Sequence, residues 1–203
     1  MKREYIPYRT VRDNSIKIAH RIFLSGFYPD VIYVCLRGGV YLGNIISEFF
    51  KIIKRDSAPV FYAAVVARSY FTEETRYNVV VDGWTYKPEF LRKGQKVLFV
   101  DDIFDSGYTM NHLVQCIFNH GIPKQDVRVA VHDYKIREYI EKPHPITPDY
   151  YARKHYIKNP EDDFWIHYLS HEIMGIKRKD LLDLFPEADE EVKKALKAIN
   201  DFL

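Results

Sequence analysis

The most constraining feature of this chain is an apolar segment that leads directly into two acids and a polar turn, Val97 to Met110. The apolar residues Val97 to Val100 predict a strand that is buried on both faces, as in the middle of a parallel sheet. The periodic apolar residues from Met110 to Phe118 predict a helix directly after the turn. In open α/β sheets ligands bind at the carboxyl ends of strands, so Asp101 and Asp102 are expected at a binding site.

The turn between the acids and the helix, Asp105 to Thr109, is suited to a phosphate group. Ser, Gly and Thr residues at a helix N-terminus present hydroxyl and backbone N–H groups to an anion. Acids beside a phosphate site are explained if the ligand also carries hydroxyl groups or a Mg²⁺ ion, as a phosphorylated sugar does. The alternative is an acidic turn in which Asp105 or Ser106 caps the helix, which would not require the acid pair.

The stretch Val97 to Thr109 resembles the phosphoribosyl pyrophosphate (PRPP) signature of type I phosphoribosyltransferases. It has four apolar residues, two acids, two apolar residues and then Asp-Ser-Gly-x-Thr. The resemblance extends over residues 5 to 175. It implies a doubly wound, mostly parallel α/β sheet with a small irregular hood, the transfer of a phosphoribosyl group from PRPP, and Mg²⁺ as cofactor.

Within this resemblance, Asp101 and Asp102 would hold the ribose hydroxyls, directly or through Mg²⁺. The 5′-phosphate would be bound by the residues of the turn, Ser106, Gly107, Tyr108 and Thr109. Tyr108 stands where a lysine is common in the family, which removes one cation from the loop.

Asp105 indicates the acceptor base. Family members that act on 6-oxopurines carry Asp at this position, and its implied role is general base or hydrogen-bond acceptor toward the purine imidazole nitrogen. Lys135, which follows the predicted strand Val127 to Val131, matches the lysine that donates to the exocyclic oxygen of the base. The alternative for Lys135 is a solvated lysine at a strand end. Hypoxanthine, guanine and xanthine are the implied acceptors, in purine salvage.

A second anion site is predicted after the apolar strand Val31 to Leu36, where Arg37-Gly38-Gly39 precedes a helix over residues 40 to 54. Glycines allow backbone N–H groups to approach an anion closely, and Arg37 supplies charge. The alternative is an ordinary strand-to-helix turn. The resemblance implies that Arg37 and Gly38 bind pyrophosphate and that the peptide bond before Arg37 is cis.

The third predicted strand, Val60 to Ala67, leads to Ser69, Tyr70 and a polar run, Phe71 to Tyr77. This segment resembles the flexible catalytic loop of the family, in which a Ser-Tyr pair closes over the reacting centre and excludes water. The alternative is a long surface loop without a catalytic role.

Trp165 resembles the aromatic residue that stacks on the purine, and Ile166 would contribute backbone contacts; a core tryptophan is the alternative. Glu172 is the nearest candidate for the family acid that binds Mg²⁺ or pyrophosphate. The metal set implied by the resemblance is therefore Asp101, Asp102 and Glu172. The intervening residues 168–171, Tyr-Leu-Ser-His, depart from the family pattern.

We expect one phosphoribosyltransferase domain over residues 1–175. Its hood is mainly residues 136–175 together with the N-terminal segment, because prolines interrupt residues 136–163. Residues 176–203 are predicted to be an appendage, with a helix over 189–203 that serves packing or dimerisation. At the other end of the chain, a helix is predicted over residues 11–24, capped by Thr10 or Asp13.

Charge and cysteine content bound the remaining possibilities. A net charge of +2 over 203 residues gives no electrostatic case for nucleic acid or a membrane surface. The chain has 2 Cys, too few for a disulfide framework, which indicates a reducing, cytoplasmic setting. Residues 1–5 have no apolar run of the secretory type, and the histidines lack transition-metal spacing.

The predicted partners are PRPP, a purine base and a second copy of the chain in a homodimer or higher homo-oligomer. Two alternatives stay open. The first is a PRPP- or nucleotide-sensing regulatory protein on the same fold, and the second is a phosphoribosyltransferase for a different base.

Overall fold

The computed structural model describes residues 2–70, 78–140, 145–174, 176–177 and 180–200. Its main sheet has six strands in the order β4-β3-β2-β5-β6-β7, and all neighbours are parallel except β3 and β4. A separate two-stranded parallel sheet pairs β1 with β8. The strands are β1 Lys2–Ile6, β2 Val31–Leu36, β3 Phe61–Tyr70, β4 Asn78–Trp84, β5 Val97–Phe104, β6 Val127–Arg137, β7 Tyr150–Ile157 and β8 Phe164–Tyr168.

Four α-helices accompany the strands: α1 Tyr8–Leu24, α2 Val40–Ile53, α3 Tyr108–Asn119 and α4 Glu190–Asn200. Helices α1 and α2 pack on one face of the main sheet, where Ile18, Ile46 and Phe50 join residues of β2 and β5 in one core cluster. Helix α3 packs on the opposite face, where Leu113 and Ile117 join a second cluster. Central strands that are covered on both sides need apolar residues at successive positions, which β2 and the first half of β5 have. The predicted doubly wound α/β fold is confirmed.

The β1–β8 pair forms a hood beside the carboxyl edge of the main sheet. Ile6 and Val11 pack with Ile166 and Tyr168 in a cluster of their own. The C-terminal segment adds a further cluster in which Leu196 of α4 packs on Ile176 and Leu181. The side chains of Tyr5 and Leu169 also pack there, so the appendage lies against the hood.

Two local predictions are wrong. Residues 150–157 form β7, which pairs with β6 in the main sheet, although the prolines around this segment predicted irregular structure. Helix α1 begins at Tyr8 after Pro7 in an extended conformation, with no side-chain cap, so neither Thr10 nor Asp13 caps it. Proline is compatible with this position because the first N–H groups of a helix have no partner within it.

Among the residues that the structure describes, no helix combines the length and apolar character needed to cross a membrane.

Candidate active site

The loops after β2 and β5 meet at the carboxyl edge of the sheet, because these two strands are parallel neighbours. Gly39 lies against the backbone of Val100 and Asp101, and Gly38 lies against the side chain of Asp102. A Cβ at either glycine would come closer than the 3.0 Å that real side chains keep. The Leu36–Arg37 peptide bond is cis, as the resemblance implies. The Arg37-Gly38-Gly39 loop therefore needs its glycines in order to adjoin the acid pair.

The two acids are held in different ways. Asp101 accepts a hydrogen bond from the backbone N–H of Asp102 at 3.0 Å. Burial, followed by the nearby charge of Asp102, raises the pKa of Asp101 well above its usual range. The carboxylate of Asp102 lies 3.2 Å from Nε2 of His171, a hood residue, so hood and main sheet meet at this acid.

The turn after β5 opens on a cleft of about 250 Å³. Gly107 has a positive φ of 81° and is the N-cap residue of α3, which has no side-chain cap. The alternative in which Asp105 or Ser106 caps the helix is therefore wrong, and their side chains are available to the cleft. The cleft is lined by Ser69 of β3 and by residues of β5 and the turn, among them Asp101, Asp105, Ser106, Gly107 and Thr109.

Asp105 is held by two cations. Arg137 donates to its backbone oxygen at 2.6 Å and to Oδ1 at 2.7 Å, and Lys135 Nζ lies 3.2 Å from the same Oδ1. Both cations also bind Asp163, Lys135 at 2.9 Å and Arg137 at 2.8 Å. The β5–α3 turn, strand β6 and the residue before β8 thus share one cluster of four charged side chains.

Lys135 is not a solvated lysine at a strand end. Its side chain is 4% exposed. Its ammonium donates to the backbone oxygen of Phe164 at 2.5 Å and to Asp163 Oδ1 at 2.9 Å, and Asp105 Oδ1 lies 3.2 Å away as an ion-pair partner. Burial lowers the pKa of Arg137, but Asp105 and Asp163 outweigh it and raise that pKa above the usual range. Lys135 and Arg137 lower the pKa of Asp163 against the effect of its burial.

The hood residues differ in their surroundings. Trp165 is 50% exposed, which excludes the alternative of a core tryptophan, whereas Ile166 is 5% exposed and packs in the hood. Trp165 follows Phe164, whose backbone oxygen Lys135 binds, and its half-exposed ring lies 6.2 Å from the ring of His167.

The carboxylate of Glu172 contacts other residues of the hood. Its Oε2 accepts a hydrogen bond from the backbone N–H of Tyr168 at 3.1 Å and lies 3.8 Å from His167. Across the described ranges, no three His, Cys, Asp or Glu side chains converge on a common metal position. The structure thus does not bring Glu172 together with Asp101 and Asp102 in the expected metal set. His171, its neighbour in the chain, reaches Asp102 instead.

Ser69 and Tyr70 are the last residues of β3, and Ser69 is paired with Val79 of β4. The predicted strand, Val60 to Ala67, thus continues through Ser69 and Tyr70 in the structure, and the catalytic role of this Ser-Tyr pair stays a prediction. The lid predicted over residues 71–77 lies outside the described residues. Tyr108, in the first turn of α3, lines a smaller cavity of about 90 Å³ together with Lys135 and Arg137.

A fully buried carboxylate joins the hood to the main sheet. Asp133 of β6 lies within hydrogen-bond distance of His132 Nδ1 at 2.7 Å and of His155 Nε2 at 2.6 Å. Arg153 Nε and the Tyr168 hydroxyl donate to it at 2.7 and 2.6 Å. Tyr168 also lies 3.0 Å from the backbone oxygen of Asp102. The network therefore fixes the hood relative to the acid pair.

Sequence reasoning did not identify Arg137, Asp163 or His171. Arg137 and Asp163 meet through an ion pair between β6 and the residue before β8, and the packing of the hood brings His171 to Asp102. Contacts of this kind join distant parts of the chain, so they produce no motif of fixed spacing in the sequence. The only available signal was charge, since Arg137 continues an apolar strand two residues after Lys135.

These features define an α/β protein with the type I phosphoribosyltransferase fold. The phosphoribosyl transferase domain family matches residues 8–168, and the chain belongs to this family. It is 25% identical over 134 residues to the hypoxanthine-guanine phosphoribosyltransferases of Sus scrofa and Canis lupus familiaris. That match spans 64% of this chain and 60% of each relative, which is less than two thirds of their length.

Solved structures share the fold. A purine phosphoribosyltransferase from Pyrococcus horikoshii has a TM-score of 0.63 at 19% identity, covering 87% of this chain and 99% of that one. A hypothetical protein from Neisseria gonorrhoeae with bound ppGpp has a TM-score of 0.61 at 21% identity, covering 85% and 91%. The family membership and the resemblance to purine phosphoribosyltransferases predicted from the sequence are confirmed.

Proposed function

We propose that the protein transfers the phosphoribosyl group of PRPP to a 6-oxopurine base and releases pyrophosphate, with Mg²⁺. The observation that carries this proposal is the common cleft lined by Asp101, by Asp105 and by the turn residues Ser106, Gly107 and Thr109. A carboxylate for sugar hydroxyls, an anion-binding turn and an acceptor for the base are needed together in this reaction. A structural turn would require none of them.

In the proposed reaction, a bond forms between the anomeric carbon and a ring nitrogen of the base while the bond to pyrophosphate breaks. The transition state resembles an oxocarbenium ion. Asp105 accepts the proton, or the hydrogen bond, of the attacking imidazole group. Arg37 and the Gly38 backbone stabilise the pyrophosphate as its charge develops, an interaction that is stronger in the transition state than before it.

The donor set fits Mg²⁺ that arrives with the substrate. Mg²⁺ prefers six oxygen ligands and keeps waters and substrate oxygens, so Asp101 and Asp102 would be its protein ligands and the substrate and water would supply the other oxygens. The ion would neutralise charge on the diphosphate. The Glu172 carboxylate contacts Tyr168 and His167 of the hood instead, so we leave it out of this set.

Base recognition would use Lys135 and Trp165. Of the three partners of the Lys135 ammonium, Asp105 is the most distant at 3.2 Å, so this contact is the one that a purine exocyclic oxygen would replace. An amino group cannot accept a hydrogen bond from the lysine, so adenine would not replace this contact, which disfavours adenine. The half-exposed ring of Trp165 is available to stack on the base.

A binding protein without turnover is the second candidate. It is favoured by one observation, the similar fold of the Neisseria gonorrhoeae protein with bound ppGpp. A phosphoribosyltransferase for a base other than an oxopurine is the third. The proposed homodimer and the cytoplasmic setting rest on the family and on the two free cysteines, Cys35 and Cys116.

One experiment separates these candidates. The protein is mixed with PRPP, Mg²⁺ and single bases, and pyrophosphate release is measured, with calorimetric titration of PRPP and ppGpp in parallel. Release with hypoxanthine, guanine or xanthine supports the proposal. Binding without release supports the sensor, and release with a different base alone supports the third candidate.

A further inference from the structure

Arg137 and Asp163 form a fixed bridge to Asp105. The guanidinium of Arg137 donates through Nε and one terminal nitrogen to Asp163 Oδ2, at 2.9 and 2.8 Å. The same terminal nitrogen donates to Asp105 Oδ1 at 2.7 Å, and the other donates to the Asp105 backbone oxygen at 2.6 Å. Four of its five N–H groups are thus used, which fixes the plane of the guanidinium.

Asp163 is in turn held by its own surroundings. Its Oδ1 accepts hydrogen bonds from Lys135 Nζ at 2.9 Å and from the backbone N–H of Phe164 at 2.8 Å. Its Oδ2 is taken by Arg137. Every oxygen of this carboxylate is therefore used within the protein, which leaves none for a substrate.

The four charged side chains of the cluster differ in their exposure to solvent. The side chains of Lys135, Arg137 and Asp163 are 4%, 12% and 16% exposed, whereas that of Asp105 is 43% exposed. Asp105 is held through Oδ1 and its backbone oxygen, and no residue in the described part of the chain donates to its Oδ2. Oδ2 is the one carboxylate oxygen of the cluster left to meet a ligand.

We infer that Arg137 and Asp163 are positioning residues, which hold Asp105 by one oxygen and present the other to the base. This inference rests on the proposed function and extends it, since it names residues that act on the reaction only through Asp105. Without Asp163, two cations would compete for one carboxylate, and Lys135 and Arg137 would draw both Asp105 oxygens inward. Small displacements of a reacting group are costly to the chemical step, on the order of 100-fold per ångström.

The test is a double-mutant cycle on steady-state kinetics. Asp163→Asn is expected to lower kcat about tenfold or more, with KM for PRPP unchanged within about twofold. Because Asp163 acts through Asp105, Asp163→Asn should have no further effect on kcat in an Asp105→Ala background. Asp163→Glu, which keeps the charge, should restore part of the loss. Asp162→Asn, on the same turn and with its carboxylate hydrogen-bonded to Asn159, is the matched control.

Arg137→Lys supplies a second, independent variant if Asp163→Asn does not fold. It keeps the charge and loses the planar bridge, so kcat should fall in the wild-type background and stay constant in the Asp105→Ala background. Equal losses in both backgrounds would show a merely structural role and overturn the inference, while wild-type turnover would leave the proposed function intact. Absence of wild-type turnover with every base would overturn both.

Discussion

The backbone of Gly38 lies directly against the carboxylate of Asp102. A Cβ at position 38 would come closer than 3.0 Å to the carboxyl carbon and both its oxygens. The proposed pyrophosphate loop and the proposed ribose-binding acid are thus in direct contact. A side chain at position 38 would overlap the Asp102 carboxylate. A Cβ at Gly83 of β4, by contrast, would meet nothing within 4 Å.

Gly38→Ala should therefore weaken PRPP binding without unfolding the protein. The new methyl group displaces the Asp102 carboxylate, and overpacking of this kind costs about 1–3 kcal/mol, or roughly tenfold in affinity per 1.4 kcal/mol. Calorimetric titration with PRPP and Mg²⁺ measures the change. Gly83→Ala is the matched control and should bind as the wild type does. Wild-type affinity in Gly38→Ala would separate the loop from the substrate site.

Asp105→Ala should affect the chemical step far more than PRPP affinity. A general base contributes about 10²–10⁴ in rate, so kcat should fall by at least a factor of about 100, while the dissociation constant of PRPP changes by less than about threefold. Single-turnover kinetics with an oxopurine gives the rate. Asp56→Ala, at an exposed position remote from the cleft in sequence, is the control. An unchanged kcat would remove Asp105 from its proposed role.

Trp165→Ala should raise KM for the base and leave KM for PRPP unchanged. Loss of a stacking contact costs about 1–3 kcal/mol, so the increase should be about fivefold or more. Trp165→Phe should keep most of the affinity. Because half of the Trp165 side chain is exposed, the thermal midpoint should change little, and a large fall in Tm with unchanged KM would assign the ring to packing instead.

Asp133 should make the stability of the protein depend on pH. Burial raises its pKa, but His132, His155 and Arg153 outweigh this effect and hold the pKa well below the usual range. An unfolded Asp titrates near pH 3.9, so the carboxylate stabilises the fold above that pH and its contribution is lost as the pH falls further.

Asp133→Asn should therefore lower the free energy of unfolding at pH 7 by about 3 kcal/mol, since it removes the fully buried charge to which Arg153 donates. The difference from the wild type should shrink as the pH falls below about 4, because the Asp133 carboxyl of the unfolded wild type is then protonated while that of the folded wild type stays ionised, so that unfolding takes up a proton. Urea unfolding at pH 7 and pH 3 measures both quantities. Equal differences at the two pH values would show that the ionised carboxylate does not carry the effect.

The sequence predicted the parts of this molecule that depend on local pattern. The buried strands β2 and β5 are continuous apolar runs, and the motif from Asp101 to Thr109 is contiguous, so both could be identified from their residues. Strand β7 could not, because its polar residues Arg153 and His155 are satisfied by Asp133, 20 and 22 positions earlier in the chain. Because side chains of β7 face a buried carboxylate, the strand lacks the alternation of apolar and polar residues by which a strand is usually predicted.

The support of Asp105 was missed for the same reason. Arg137 and Asp163 meet across 26 residues, and His171 reaches Asp102 across 69. Contacts between residues so far apart in the chain depend on the fold, and no short sequence pattern predicts them. The start of α1 escaped a search for capping side chains because Pro7 precedes the helix without one.

The most direct test of the account is pyrophosphate release from PRPP and Mg²⁺ with an oxopurine as acceptor. The account predicts release that requires all three components, that proceeds with hypoxanthine, guanine or xanthine and that does not proceed with adenine. It is contradicted if PRPP with Mg²⁺ neither binds nor reacts in the presence of any of these bases.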